Sequence, residues 1–358
     1  MRAVVLIARF LFSANYLKVC YNKPYKTKTE DIMDYSQILS QQFNIKEEYA
    51  KNIITLLDDG NTIPFIARYR KEMHGSMDDQ LIREFAEKLE YLRGLDKRRD
   101  EIRSLIDAQE KLTDEINLAL DKAATLSELE DIYRPYRPKR KTRASIAKEK
   151  GLEPLANDIL KQEKGFDPSK SAVDYIDEEK GVTSVEDAIQ GAMDIIAELV
   201  SDNAEIRKRI RNLTNANGVL VSVATDEEKD SVYKNYYDYK EPVKKIAGHR
   251  VLAVNRGEKE GFLKVSVETD SEKPLNSIFR AMITDKNQLC SDIIREACTD
   301  AYQRLIYPSI EREVRNDLTD TASENAMKVF AVNLKQLLMQ PPVKGKTVLA
   351  LDPGYRTG

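Results

Sequence analysis

The feature that most constrains the fold is a change of hydrophobic periodicity close to Gly218. From Tyr35 to about Asn217, apolar residues recur at spacings of three and four, which predicts amphipathic helices that pack against one another. Three later stretches are short, rich in β-branched residues and bounded by glycine or charged turns: GVLVSVAT, HRVLAVNRG and GFLKVSVET. We interpret all three as strands.

Helical periodicity returns over Asn287–Leu305 and again over roughly Ile310–Met339, with Pro308 ending or kinking the first of these helices. The sequence therefore predicts a mainly α protein. Its expected parts are a multi-helical region over residues 33–217 and a mixed strand and helix central region over 218–342. Residues 343–358 are expected to begin a further domain.

That last part is the stretch KTVLALDPGYRTG, Lys346–Gly358. The uninterrupted apolar run Val348–Leu351 is typical of a strand buried on both faces of a sheet, and Asp352 follows it before the turn signal Pro353-Gly354. A single strand has neither a ladder partner nor a second layer. We therefore expect that it pairs elsewhere in the chain or that the sequence is a fragment.

The beginning of the chain, MRAVVLIARFLFSANYL, superficially resembles a signal peptide. Arg9 interrupts the apolar stretch after six residues, and the stretch is too short and too charged to span a bilayer. We interpret residues 1–32 as a non-native or disordered leader, with Met33 as the natural start.

Composition excludes some classes of site and leaves others open. The 57 basic and 60 acidic residues give a formal net charge of −3, which does not decide for or against nucleic acid because the charges can be segregated. Three cysteines, Cys20, Cys290 and Cys298, lack C-x-x-C spacing, which favours a reducing cytoplasm. With only His74 and His249, a zinc site or a histidine-based triad is not expected. We predict no cofactor and no metal.

The most unusual local composition is YRPYRPKRKTRASIAKEK, Tyr133–Lys150, called the basic segment below. It carries eight basic residues opposed only by Glu149: Arg134, Arg137, Lys139, Arg140, Lys141, Arg143, Lys148 and Lys150. Pro135 and Pro138 predict an extended loop before a helix that begins near Arg143. Basic groups interleaved with Tyr133 and Tyr136 suit a phosphate backbone with splayed bases. The alternative, a solvated loop whose arginines pair with acidic helices such as Glu128–Asp131, has equal weight.

A second basic segment, Ile63–His74, is IPFIARYRKEMH. We expect Phe65, Ile66 and Tyr69 to pack inward. The second set of candidate nucleic-acid contacts then points outward: Arg68, Arg70 and Lys71. Here the structural alternative is favoured over nucleic-acid contact, since arginine stems often cover apolar surface. The basic helix face EIRKRIRN, Glu205–Asn212, is explained by a solvated helix end, and His249 before a predicted strand is expected to be structural.

Four stretches together resemble the Tex family of bacterial RNA-binding transcription accessory proteins: TIPFIARYRKE, LEDIYRPYRPKRKTRASIAKEKGLEPLA, AGHRVLAVNRGEKEGFLKVSV and VLALDPGYRTG. They occur in the family's order, over about Met33–Gly358. The resemblance implies an N-terminal helical region with helix-turn-helix character, a mixed central region and a YqgF-like domain of ribonuclease-H fold. Helix-hairpin-helix elements and a nucleic-acid-binding S1 domain follow in the family. The chain is then expected to be an N-terminal fragment that reaches the first strand of the truncated YqgF-like α/β domain and lacks the later parts.

The resemblance also bears on Asp352, because the first-strand aspartate of ribonuclease-H-fold nucleases helps to hold two metal ions. That mechanism needs three or four converging carboxylates, so we interpret Asp352 as a vestigial first-strand carboxylate in a turn. The function expected is a non-enzymatic, cytoplasmic transcription accessory protein that binds RNA or DNA weakly and has no membrane contact. The alternatives are a scaffold that docks on the transcription or translation machinery and, third, a nuclease.

Overall fold

The computed structural model describes residues 29–138, 141–284, 286–341, 344–347 and 349, with side chains from Tyr35 onward. The chain divides into two compact units, the first ending at Leu129 and the second beginning at Glu130. Residues 217 and 218, between which the sequence analysis places a boundary, both lie in the second unit. The predicted terminal strand and Asp352 lie outside the described residues except for Leu349, which is exposed and in no strand.

The first unit is helical, as the periodicity of the sequence predicts. Its helices are α1 (Thr29–Phe43), α2 (Glu47–Asp58), α3 (Ile63–Tyr69), α4 (Lys71–His74), α5 (Asp79–Asp107) and α6 (Asp114–Lys122), with α7 (Leu126–Tyr133) crossing the division. The side chains of Asp78 and Thr113 accept hydrogen bonds from the first turns of α5 and α6, which fixes where these helices begin. Leu39, Ile54 and Phe85 are among the core residues that these helices bury together.

After the end of α7, the second unit continues with a short 3₁₀ turn, Arg134–Tyr136, and with helices before and after a small sheet. Its helices are α8 (Arg143–Glu149), α9 (Glu153–Lys161), α10 (Pro168–Ala172), α11 (Val185–Asp202), α12 (Ala204–Asn217), α13 (Gly248–Lys259), α14 (Glu272–Met282), α15 (Gln288–Asp300) and α16 (Tyr307–Leu338). Two further 3₁₀ turns lie at Val173–Tyr175 and Lys234–Tyr236, and a π-helical turn over Ala301–Ile306 joins α15 to α16 just before Pro308. The prediction of a mainly α protein is confirmed.

The core of the second unit forms around α11. This helix buries Ala188, Ala192, Ile196 and Val200 along one stripe, and it packs against α8, α9 and α15. Most of these side chains are small or β-branched, so the neighbouring helices can approach closely. The stripe that the sequence shows over this helix is therefore a packing surface, as predicted.

Three antiparallel strands form the sheet: β1 (Val219–Ala224), β2 (Asp238–Pro242) and β3 (Leu263–Glu268). β1 lies in the middle, with Leu220 opposite Glu241 on one side and opposite Val267 on the other. Two of the three predicted strands, β1 and β3, are confirmed, whereas β2 has the polar sequence DYKEP and was not predicted.

The third predicted strand, HRVLAVNRG, is wrong, because these residues form α13. Val251, Val254 and Gly257 lie three residues apart and are buried on one helical face. The absent side chain at Gly257 admits Leu263 of β3, whose Cδ1 atom lies 2.5 Å from where a Cβ would stand. The β-branched composition of this stretch serves helix–sheet packing, and tertiary contacts override its strand propensity.

The outer edge of β3 is closed by side chains. Val265 donates its N–H to Glu258 of α13 at 3.2 Å, and Val267 donates to Glu311 of α16 at 3.0 Å. The carbonyls of the same two residues accept hydrogen bonds from Arg315 and from the Tyr307 hydroxyl, at 2.9 and 3.0 Å. An edge whose polar groups are satisfied in this way does not present a template for another strand.

Candidate nucleic-acid interface

The basic segment begins as a turn. Tyr133 ends α7 and is only 6% exposed, so it cannot offer a stacking face, and Tyr136 is half-buried. Arg134–Tyr136 form a 3₁₀ turn in place of the predicted extended loop, since Pro135 stands at a position of the turn that needs no N–H donor. Extended backbone starts at Arg137, whose φ is −66° and ψ is 133°.

The segment then enters α8 through a well-defined cap, as predicted near Arg143. The Thr142 hydroxyl accepts a hydrogen bond from the Ser145 N–H at 3.0 Å, and the Ser145 hydroxyl accepts one from the Thr142 N–H at 2.8 Å. Such a reciprocal pair satisfies two of the free amides at a helix start. Thr142 also donates to Glu198 of α11 at 3.0 Å, so the downstream end of the loop is fixed to the core helix.

Three cations of the segment are exposed around this loop. Arg137 has a side chain 62% exposed, with Glu130 at 3.7 Å, a weak contact of the kind that the alternative interpretation predicts. Lys141 forms no hydrogen bond or ion pair with any other described residue, and Arg143 forms none either. Arg143 lies close enough to Asp194 of α11 to lower the pKa of that carboxyl, but burial outweighs this and raises the pKa overall.

The remaining cations of the segment differ from one another. Lys148 pairs with Glu153 at 3.1 Å, and Lys150 donates to the Gly181 carbonyl at 2.7 Å. Lys139 and Arg140 lie outside the described residues. Exposed positive charge within the described part of the segment is therefore concentrated at its middle.

Arg134 has a different environment from the other cations. It is half-buried and donates to the Ser309 hydroxyl of α16 at 3.4 Å. Burial lowers the pKa of Arg134, and the nearby guanidinium of Arg207 lowers it further. This arginine belongs to the anchor of the segment more than to its surface.

Close to the turn lies a group of charges with a buried centre at Asp131 and Arg207 and half-buried partners at Arg211 and Glu313. These four residues are called the arginine–carboxylate cluster below. Arg207 Nε donates to Asp131 Oδ1 at 2.6 Å, and Arg211 Nη2 donates to Asp131 Oδ2 at 2.6 Å. Arg207 Nη2 donates to Glu313 Oε1 at 2.8 Å, and Arg211 Nε donates to Glu313 Oε2 at 2.9 Å. Each carboxylate thus bridges both arginines through short, charge-assisted bonds.

Sequence reasoning missed this cluster and assigned Glu205–Asn212 to a solvated helix end, which holds for the exposed Lys208 and Arg209 but is wrong for Arg207 and Arg211. The Arg207 side chain is 0% exposed and that of Arg211 is 12% exposed. A signal was present, because Arg207 precedes Ile210 by three residues and Thr214 by seven, on the buried stripe of α12. The acidic stretch before the basic segment is also used differently from the alternative interpretation, since Asp131 binds these two arginines.

The second basic segment lies in the first unit and spans α3 and α4. Ile66 is buried as predicted, but Tyr69 is 65% exposed, so the expectation that it packs inward is wrong. The rings of Phe65 and Tyr69 lie 5.4 Å apart, and the Arg70 guanidinium lies over Phe65 at 5.6 Å. The side chains of Arg68, Arg70 and Lys71 are exposed.

The two histidines have ordinary structural surroundings. His74 is fully buried, with Nε2 3.1 Å from the Ile66 carbonyl, and its Nδ1 has no hydrogen-bond partner among the described residues. This contact ties α4 to α3. His249 is exposed in the first turn of α13 and does not precede a strand.

Within the described parts of the chain, no group of three or more His, Cys, Asp or Glu side chains is arranged to hold a metal ion. None of the helices in this described part combines the length and the apolar composition that a membrane-spanning segment requires.

Comparison with known families decides the identity of the chain. Residues 33–107 match the family described as Tex-like protein N-terminal domain, and residues 163–330 match Tex central region-like. The chain belongs to the Tex family. The basic segment falls between the two matched regions.

Curated relatives agree with this assignment. The chain is 45% identical over 333 residues to the protein YdcI of Bacillus subtilis (strain 168), covering 91% of this chain and 46% of YdcI. It is 37% identical over 337 residues to the transcriptional accessory protein Tex of Neisseria gonorrhoeae, covering 91% and 44%. It is also 32% identical over 351 residues to the human S1 RNA-binding domain-containing protein 1, covering 93% and 35%. The chain thus spans less than half the length of these relatives.

Proposed function

We propose that this Tex-family chain binds RNA or DNA as part of a transcription accessory protein, and that the exposed cations of the basic segment contact phosphates. One observation carries the proposal. Arg137 and Lys141 are exposed on a loop that is anchored upstream by the Arg134 turn and downstream by the Thr142 cap. Cations held at fixed positions on a surface attract a polyanion and release its counterions on contact.

The names of two relatives support the same proposal. The Neisseria gonorrhoeae protein is called a transcriptional accessory protein, and the human protein is named for an S1 RNA-binding domain. The exposed Arg68, Arg70 and Lys71 of the second basic segment are proposed as further phosphate contacts. We expect binding by this chain alone to be weak.

The proposed activity is binding without catalysis. The two carboxylates of the arginine–carboxylate cluster, Asp131 and Glu313, are each bound to two arginines. A carboxylate held in this way is a poor general base and a poor metal ligand, because its lone pairs and its charge are already used. We propose a cytoplasmic location, which is supported by Cys290 and Cys298, both free and buried.

A second candidate function is a scaffold that docks on the transcription or translation machinery. The observation in its favour is a set of exposed apolar side chains along the C-terminal half of α16 and at the residue that follows it. They are Met327, Val329, Phe330, Val332, Leu337, Leu338 and Met339. An accumulation of exposed large apolar side chains often marks a protein contact.

The experiment that tests the first candidate is a fluorescence titration of labelled single-stranded RNA and duplex DNA with the wild-type chain and a triple variant. The variant carries Arg137→Glu, Lys139→Glu and Lys141→Glu, and Arg143 is kept because a glutamate there would repel Asp194. We expect both nucleic acids to bind the wild type and to bind the variant much more weakly. A folded variant with wild-type affinity would contradict the proposal, and a wild type that binds neither nucleic acid would favour the scaffold.

A further inference from the structure

The arginine–carboxylate cluster joins three parts of the chain that lie far apart in sequence. Asp131 is in the last turn of α7, Arg207 and Arg211 are on α12, and Glu313 is on α16. Asp131 stands three residues before Arg134, with which the turn of the basic segment begins. The cluster therefore fixes the point from which the basic segment leaves α7.

A shared hydroxyl extends this anchor into the segment itself. Ser309 accepts hydrogen bonds from Arg207 Nη2 at 3.1 Å and from Arg134 Nη2 at 3.4 Å, and it lies 3.4 Å from Glu313 Oε1. The first cation of the basic segment and the buried arginine of α12 thus bind the same atom of α16. Arg134 and the cluster are therefore linked through the Ser309 hydroxyl.

We infer that the arginine–carboxylate cluster positions the basic segment for phosphate contact, so that Arg207, Arg211 and Glu313 are positioning residues of the nucleic-acid interface. This inference rests on the function proposed above. It adds Glu313 and the two arginines of α12, Arg207 and Arg211, which sequence reasoning had assigned to a solvated helix end.

The energetics of buried charges favour a positioning role over a purely stabilising one. Removing two ion pairs from water costs about as much as their attraction returns, so apolar residues of similar volume often stabilise a fold equally well. The cluster also leaves Arg207 Nη1 buried with no hydrogen-bond partner among the described residues, which is a further cost. What the four side chains provide that apolar ones do not is a fixed geometry, since each carboxylate orients two guanidinium groups.

Positioning has a distinct signature in binding. A segment that is released from its anchor keeps all its charges and can still reach the same number of phosphates. The salt dependence of binding, which counts those phosphates, should stay the same. The affinity should fall at every salt concentration, because the segment must now be ordered when it binds.

The test uses Glu313→Gln in the full chain. The amide nitrogen introduced there faces a guanidinium donor and breaks one of the two bonds from Glu313 while keeping the size of the side chain. We expect affinity for single-stranded RNA about three- to thirty-fold weaker than wild type, with an unchanged slope of log K against log salt. Trypsin cleaves after lysine and arginine. It should cut the folded Glu313→Gln variant within residues 134–143 at least several-fold faster than it cuts the wild type there.

A matched control is Arg315→Met on the same helix. Arg315 also pairs with a glutamate, Glu258, and is part-buried, but it contacts α13 and β3 instead of the basic segment. We expect it to leave the RNA affinity and the cleavage rate within residues 134–143 at wild-type values. If Glu313→Gln fails to fold, Arg211→Lys keeps the charge, loses the two-sided geometry and is measured in the same way.

Each outcome of these measurements either supports or overturns the inference. A folded cluster variant that binds as the wild type does, or whose segment is cleaved no faster, overturns the inference. A shallower salt slope also overturns it, since the cluster would then act through the number of phosphate contacts. A wild type that binds no nucleic acid defeats the proposed function, and the cleavage rates still show separately whether the cluster holds the segment.

Discussion

Two glycines inside helices show how strongly the effect of a glycine on stability depends on the residues packed around it. A Cβ at Gly257 of α13 would stand 2.5 Å from Leu263 Cδ1 and 3.1 Å from Tyr233 Cδ1, whereas a Cβ at Gly94 of α5 would meet nothing within 4 Å. Both residues have helical neighbours, so alanine should improve helix propensity equally at the two sites. Only the packing differs.

We therefore expect opposite effects from the same substitution. Gly94→Ala should stabilise the protein by about 0.5–1 kcal/mol. Gly257→Ala should destabilise it by about 1–2 kcal/mol, because overpacking at Leu263 outweighs the gain in propensity. Urea denaturation followed by circular dichroism measures both changes. Equal stabilisation by the two variants would show that α13 does not pack closely on β3 at this glycine.

The contribution of Asp194 to the stability of the fold should depend on pH. Burial raises the pKa of its carboxyl above the ordinary value of 3.8, although Arg304 and Arg143 act in the opposite direction. Its Oδ1 is buried with no hydrogen-bond partner among the described residues, and Arg304 lies 3.5 Å away. Because the pKa is higher in the folded state, the favourable contribution of Asp194 is present at low pH and is lost as pH rises through that raised pKa.

Asp194→Asn should accordingly stabilise the protein at pH 7, and the gain should shrink as pH falls towards 4. Urea denaturation at the two pH values measures this. The exposed Asp174 provides the control, since Asp174→Asn should change stability by less than about 0.5 kcal/mol at either pH. A gain from Asp194→Asn that grows with acidity would show that burial does not raise the pKa of this carboxyl.

At the scale of elements, the sequence predicts helices better than strands. Long amphipathic stripes such as that of α11 need no tertiary information, because their period is fixed by the helix itself. HRVLAVNRG resembles a strand because a short run with β-branched residues fits a strand and a buried helix equally well. DYKEP gives no strand signal because β2 is an edge strand whose side chains alternate between exposed and half-buried positions. Both elements are settled by contacts with distant residues.

The closed edge of β3 can be tested through one amide. Glu311→Ala removes the acceptor of the Val267 N–H, so hydrogen exchange at Val267 should accelerate by at least ten-fold, while exchange at Val265, whose acceptor is Glu258, should change little. Glu311→Gln keeps a side-chain carbonyl and should largely preserve protection. Unchanged exchange at Val267 in the alanine variant would mean that another group satisfies this edge.

At the scale of the whole chain, the distribution of charge could be predicted only in part. The basic segment is visible in the sequence because its cations lie close together along the chain. The arginine–carboxylate cluster is not, since Asp131, Arg207 and Glu313 are brought together only by the packing of α7, α12 and α16. Sequence alone therefore identifies the charged surface, but not which arginines are buried beneath it.

The central claim is that the exposed cations of the basic segment neutralise phosphates, and the slope of log K against log salt measures this most directly. Each phosphate contact contributes about −0.9 on duplex DNA and about −0.7 on single strands, so Arg137→Glu, Lys139→Glu and Lys141→Glu together should make the slope shallower by roughly two units. The matched control, Lys164→Glu with Lys244→Glu and Lys245→Glu, changes the net charge equally at exposed sites of the same unit and should keep the wild-type slope. Equal slopes for the wild type and the basic-segment variant would contradict the account. An equal reduction of the slope in both triple variants would contradict it as well.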